Sequence, residues 1–207
     1  MRHIRIGKTT AIVVSLGLLV VPMVSAQSHN MLTGAERVEG WMLVFDGTSL
    51  NGWAPRVDAM WEVSDGTISA IPASGRGLIA TNAHYTDFQL RVDFWIDEAA
   101  NSGVFLRCPA DGPITQGNAF EVNIYDPHSS WPTGSINEIA KIQTMPNTTG
   151  KWNTFEITAD GDRLVVKLNG ETTVDARSDR HNSGPIALQY NASGQVRFRN
   201  VKVKLLD

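Results

Sequence analysis

The residues best suited to chemistry lie in one short stretch, Phe120-Glu121-Val122-Asn123-Ile124-Tyr125-Asp126. Period-two alternation puts Phe120, Val122 and Ile124 on a core face and Glu121, Asn123 and Tyr125 on the opposite one. A carboxylate, an amide and a phenol in a row can move a proton and hold hydroxyls, which is what a sugar cleft requires. The same row also reads as the ordinary polar outside of a strand. Asp126 has core parity, but Pro127 favours a turn that would swing its carboxylate toward the same cleft. In the preceding Asn101-Ser102-Gly103-Val104-Phe105-Leu106-Arg107, the core parity of Val104 and Leu106 leaves Asn101, Gly103, Phe105 and Arg107 on the polar side. If the two stretches pair, Arg107 comes near Glu121, either as a cation of the cleft or as half of a structural ion pair.

Three further groups belong to the same expectation. His128 beside Asp126 makes a two-residue ligand pair for a divalent metal, a short signal on its own, and no other cofactor is called for. Trp131 either stacks on a sugar ring or packs. Gln189 lies on the face opposite Ile186, Leu188 and Tyr190, with the small Ala187 leaving room beside its amide. Cys108 is the only cysteine, so no disulfide within the chain can form, and it reads as a small buried hydrophobe rather than a nucleophile.

The elements that must position these groups are strands. Phe88, Leu90, Val92, Phe94 and Ile96 alternate with polar neighbours over a long half-buried strand, and Leu164, Val166 and Leu168 repeat the pattern before an Asn169-Gly170 hairpin turn. Shorter strands are predicted over 42–45, 60–63, 67–71, 103–107, 119–125, 154–159 and 185–190. The last strand changes phase between Val196/Phe198 and Val201/Val203/Leu205, which calls for a β-bulge near Arg199-Asn200. One short helix is signalled by the capping-box spacing of Thr33 and Glu36. Some ten strands separated by Gly, Asp and Asn turns, without crossover helices, predict an all-β, jelly-roll-like sandwich of two antiparallel sheets.

The N-terminus predicts export. Arg2, Arg5 and Lys8 precede the apolar run Ala11 to Val21, and Val24-Ser25-Ala26 ends with the small residues a signal peptidase requires. Residues 1–26 are read as a signal peptide cut after Ala26, and 27–207 as one domain, periplasmic or secreted. The apolar run is too short for a span of about 20 residues, so no membrane association is expected after cleavage. Removing three of the 18 Lys and Arg leaves 15 against 21 Asp and Glu, a formal charge of −6. That balance argues against a nucleic-acid partner, whose affinity comes from phosphate neutralisation.

Several motifs together resemble one known family: Gly40-Trp41 leading into Leu43-Val44-Phe45-Asp46-Gly47-Thr48-Ser49-Leu50-Asn51-Gly52-Trp53, the 101–107 and 120–126 stretches, Trp152-Asn153-Thr154-Phe155-Glu156-Ile157, Leu168-Asn169-Gly170, Gly184-Pro185-Ile186-Ala187-Leu188-Gln189, and Phe198-Arg199-Asn200-Val201. Their order and spacing are similar to those of the 3-keto-disaccharide hydrolases, also described as 3-keto-glucoside lyase and hydratase domains. The chain departs from that pattern at Asn123, where Gln is common, at Asn137, where Tyr is, and near Asn191, where a His often follows the Leu-Gln pair. The resemblance implies the concanavalin-like form of the jelly-roll sandwich, and a carbohydrate substrate carrying a C3 ketone, which acidifies the C2 hydrogen so that the C1 substituent can be eliminated and water then added. It implies Glu121 for proton transfer, Arg107 for the enolate, Asp126 as second carboxylate or orienting group, and Asn101, Asn123 and Gln189 for hydroxyls. Two alternatives accompany it: a conventional glycosidase using Glu121 and Asp126, and a lectin-like module that binds without reacting.

Overall fold

A computed structural model describes Met1 and residues 29–72 and 74–206. The signal-peptide expectation therefore lies outside the described residues, and among those described no helix is long and apolar enough to cross a membrane. Thirteen strands form two antiparallel sheets, with one helix, α1 (Gly34–Val38), opened by the expected Thr33/Glu36 capping box.

The larger sheet has the order β11 (Glu171–Arg177), β10 (Arg163–Leu168), β9 (Trp152–Asp160), β6 (Phe88–Ile96), β13 (Val196–Leu205), β4 (Thr67–Ala70) and β3 (Trp61–Ser64), and β1 (Trp41–Leu43) also pairs with β13. The smaller sheet has the order β2 (Trp53–Val57), β5 (Gly77–Thr81), β12 (Ala187–Tyr190), β7 (Ser102–Leu106) and β8 (Phe120–Ile124). The two sheets enclose one core, in which Phe88, Phe94, Phe120, Phe155 and Phe198 are buried with Val104, Val122 and Leu188. Each such side chain contributes about 1.5–3 kcal/mol by leaving water. The fold is the expected jelly-roll-like sandwich.

Local signals hold where they have a mechanism. Asn169 and Gly170 both take positive φ, 52° and 87°, as a two-residue hairpin turn demands. In β13 the register with β6 shifts between Arg199 and Lys202, and this bulge keeps Val196, Phe198, Val201 and Val203 all buried. Leu205, expected in the core, is exposed at the very end of β13. Two strands escaped the sequence reading. The edge strand β2 contains Pro55 and exposed neighbours, and β5 is a short apolar run without alternation.

The two sheets differ on their outer sides. On the larger one, β6 and β9 alternate buried and half-buried residues. On the smaller one, every residue of β5, β7, β8 and β12 is buried. The segment 108–119 causes part of this burial, because Cys108, Ile114 and Ala119 pack against Leu78, Ala80, Phe105 and Ala187 as a second small apolar cluster. Ala187 itself is covered by this packing.

Candidate active site

Glu121 sits on that covered face, on the terminal strand β8. β7 and β8 pair as expected, with Phe105 opposite Glu121 and Gly103 opposite Asn123. The carboxyl is nearly inaccessible, the residue being 3% exposed. Its Oε2 accepts hydrogen bonds from Gln116 Nε2 at 2.7 Å and Asn137 Nδ2 at 2.8 Å. Oε1 takes neither and lies over Gly103, where a Cβ would come within 2.7 Å of it. Glycine is needed there for space, not for conformation.

Asn137 arrives by a fold-back of the chain along the edge of β8. Asn123 N–H donates to Ser135 O, Gly134 N–H to Asn123 O and Asn137 N–H to Glu121 O, so 134–137 lies alongside the strand as a further rung. Gln116 comes from the covering segment. Burial raises the Glu121 pKa, opposed by the two amide donors and by the charge of Arg76. Neutral amides satisfy an ionised carboxylate only partly, so the proton is held more tightly than on an ordinary glutamate.

A cavity of about 370 Å³ opens beside this carboxyl, lined by Glu121, Gln189, Arg76, Gln116, Glu138 and the apolar Phe105 and Ile114 among others. Arg180, outside the lining, braces two of these residues, 3.5 Å from Glu138 Oε2 and donating to Gln116 O. A buried acid–base group, a guanidinium and a primary amide around a small cavity can bind a hydroxylated ring and move a proton on it.

Of the residues singled out in sequence, the structure brings Glu121 and Gln189 together here. Arg107 is the largest correction. It follows the end of β7 with φ of 51°, which breaks the alternation and turns its side chain away from Glu121. The buried guanidinium donates to Thr86 O, Gly161 O and His181 O and to Asp87 Oδ1 at 2.9 Å. It is therefore a structural cation, paired with Asp87 rather than Glu121, with four of its five N–H groups engaged and its side chain 1% exposed. Asp126 is also committed elsewhere: its two oxygens accept from Thr148 N–H and Thr148 Oγ1, both at 2.7 Å. It lies in the turn two residues beyond β8 and does not line the cavity beside Glu121, so the two do not make up the carboxylate pair of a glycosidase there.

The amide of Asn123 donates to Trp131 O, fastening the turn after β8 instead of holding a hydroxyl. His128 Nδ1 accepts from the N–H groups of Ser130 and Trp131, and its ring meets Tyr125 edge-on at 6.3 Å. Tyr125, His128 and Trp131 organise that turn and do not line the Glu121 cavity, and neither does Asn101, which precedes β7 at its far end. Asp126 and His128, the two residues offered as metal ligands, each accept hydrogen bonds from backbone N–H groups, of Thr148 in one case and of Ser130 and Trp131 in the other, and no cluster of three or more His, Cys, Asp or Glu side chains suited to a metal occurs among the described residues. Cys108 is 1% exposed and burial pushes its thiol up to about 12, which leaves no thiolate for nucleophilic chemistry.

Sequence reasoning missed Arg76, Gln116, Asn137 and Glu138 as members of the site. Gln116 stands between the glycines 112 and 117 that mark a loop, and Arg76 between glycines 75 and 77. Those flanks were the available signal. Gly77 is required because a Cβ would come within 2.7 Å of Ala59 N.

Comparison with known proteins agrees with this architecture. A structure from Parabacteroides distasonis ATCC 8503, provisionally named a glycosyl hydrolase, superposes with a TM-score of 0.76 at 24% identity, covering 87% of this chain and 100% of that one. The carbohydrate-binding module CBM66 from Bacillus subtilis superposes with a TM-score of 0.60 at 21% identity, covering 74% and 95%. At these identities the likeness is one of fold. A protein named 3-keto-disaccharide hydrolase from Bacteroides thetaiotaomicron is 23% identical over 231 residues, 82% of this chain and 79% of that protein. Residues 40–204, nearly all of the described sandwich, match the model of the 3-keto-alpha-glucoside-1,2-lyase-like domain, and the chain belongs to that family.

Proposed function

We propose that this protein is an exported carbohydrate-active enzyme that cleaves glycosides whose glucose carries a ketone at C3. The observation that carries this reading is the buried Glu121 carboxyl, held by neutral amides beside a cavity with one guanidinium. Proton removal next to a ketone needs a base of raised pKa and a cation for the oxygen that becomes negative. In this reading Glu121 Oε1 takes the C2 hydrogen as its proton, and Arg76 takes the role first given to Arg107, facing the enolate oxygen at C3. The electron pair then re-forms the C3 carbonyl, the C1–oxygen bond breaks, and the departing oxygen receives the proton from Glu121. Water adds to the resulting enone, hydroxide at C1 and a proton at C2. Glu138, the second carboxylate of the cavity, accepts the proton of the incoming water, and Gln189 holds a ring hydroxyl. Family membership and the name of the Bacteroides relative support the substrate class. Asp126, joined to Thr148, takes no part, which speaks against the Glu121/Asp126 pair of the conventional glycosidase reading.

The test incubates the purified domain with a 3-keto-disaccharide and with its unoxidised parent in deuterated water. Cleavage of the keto sugar alone, with deuterium at C2 of the product, is expected. Cleavage of the parent would sink the elimination route, and binding without turnover would make the protein a lectin-like module. Glu121→Gln is expected to lower turnover by about 10²–10⁴-fold, the contribution typical of a positioned acid–base group. Near-normal turnover would remove Glu121 from the mechanism.

A further inference from the structure

The outer side of the larger sheet carries an unbroken row of side chains that the proposed chemistry does not use. Trp152 on β9 is register partner of Trp95 on β6, Trp95 of Arg197 on β13, Arg197 of Ser69 on β4, and Ser69 of Glu62 on β3. Five strands spaced at about 4.8 Å make this row roughly 19 Å long, running across the strands. Both indoles are half-buried and each is paired with a guanidinium: Arg197 Cζ lies 4.7 Å from the Trp95 ring and Arg199 Cζ 3.8 Å from the Trp152 ring. Two cavities of about 350 and 620 Å³ flank the stacked Trp152/Arg199 pair, which lines both.

Two features define what such a surface takes. Flat indoles and guanidiniums present apolar faces to C–H groups and N–H edges to hydroxyls. One of those edges is uncommitted: Arg199 Nε is buried and makes no hydrogen bond among the described residues, although Asp93 Oδ2 lies 3.5 Å away. The charges also balance. Glu62 and Asp65 accompany Arg197 and Arg199 in the smaller cavity, and the larger carries three carboxylates and three Arg or Lys cations. A polyanion meets as much repulsion as attraction there, on a chain of net charge −3. A neutral, polyhydroxylated chain meets none.

We propose that this row is a second carbohydrate site, a groove that holds a neutral oligosaccharide across β9, β6, β13, β4 and β3, on the sheet opposite Glu121. It binds without reacting, because no group like Glu121 faces it, and its occupant is an unoxidised glycan rather than the keto sugar.

The test is migration of the mature protein through native gels containing hydroxyethylcellulose, xylan or dextran, with heparin as the anionic comparison. Retardation by at least one neutral glycan is expected, weakened roughly tenfold, or about 1.4 kcal/mol, in both Trp152→Ala and Arg197→Gln and unchanged in Glu121→Gln. Melting curves identify a variant that has failed to fold, and Arg197→Gln leaves both indoles in place. Turnover of a 3-keto-disaccharide by Trp152→Ala should equal that of the parent protein, so failure of the groove and failure of the proposed chemistry are read separately. The proposal is overturned if no neutral glycan retards the protein, if heparin alone does, or if retardation survives the two groove substitutions.

Discussion

Two buried glutamates, one on the outer side of each sheet, start from the same ordinary carboxyl pKa of 4.5 and move in opposite directions. Glu36 on α1 lies over the larger sheet, where Lys202 Nζ approaches both its oxygens at 2.9 and 3.0 Å and Arg91 approaches at 3.0 Å. Burial works to raise its pKa, but the Thr33 N–H and Lys202 outweigh it and hold the carboxyl below the usual value. Glu121 lies under the covering segments of the smaller sheet with only two amides for company, and there burial wins. Burial alone does not say what a carboxyl is for. Cations at contact distance make a fixed anion that organises structure, whereas neutral donors and a more distant Arg76 make a group poised to gain and lose a proton.

The contrast can be broken in three ways beyond the turnover assay. The largest effect on stability is expected from Glu36→Gln, which leaves Lys202 without its anion and Arg91 with Glu156 alone. Discounted for the solvent at the helix rim, it should cost about 2–3 kcal/mol, roughly 4–10 °C in Tm at pH 7. A carboxyl with lowered folded pKa stabilises above its unfolded pKa and loses that contribution as pH falls through the folded one. The deficit of Glu36→Gln should therefore shrink in Tm scans taken downward from pH 4.5; a constant deficit would mean that the ion pair is not its source.

Next is Gly103→Ala, whose methyl would meet Glu121 Oε1 at 2.7 Å. A shift of the carboxyl or of β7 should cost about 1.5 kcal/mol by chemical denaturation, and wild-type stability would show that the carboxyl is not pinned there. The smallest effect runs the other way. A carboxyl with raised folded pKa opposes folding once the pH climbs above 4.5, fully so above the folded pKa, because the unfolded chain ionises first. Glu121→Gln should therefore raise Tm at neutral pH, by about 1 kcal/mol or 2–4 °C, with the gain fading in acid. A Tm below wild type at pH 7 would mean that the ionised form is the better satisfied one.

The strands, the Asn169-Gly170 hairpin, the β13 bulge and the α1 cap were legible because each rests on a short-range rule: side-chain period, turn dihedrals, or a reciprocal cap. The faces of Glu121 and Gln189 were legible through parity along their strands, and the pairing of β7 with β8 through the order of their motifs, whereas the place of β12 beside β7 was not. Parity ceases to inform where a strand ends. Arg107 and Asp126 stand one and two residues beyond β7 and β8, and a single left-handed φ at Arg107 carries its charge to another part of the molecule. The complementary partners Arg76, Gln116, Asn137 and Glu138 come from covering segments whose approach is set by tertiary packing, on which local pattern is silent. Alternation also reads alike on the two sheets, although one outer face is covered and the other carries the Trp/Arg row.

Arg107 has taken the protein backbone as its hydration shell. Carbonyls from residues 86, 161 and 181 occupy the places of water around a cation whose side chain is 1% exposed. Losing any one of them strips part of that shell, so the β5–β6, β9–β10 and β11–β12 connections are tied to open together. A common unit of local unfolding follows from this, closed by a cation that does not itself line the cavity and set by a residue just past the end of β7.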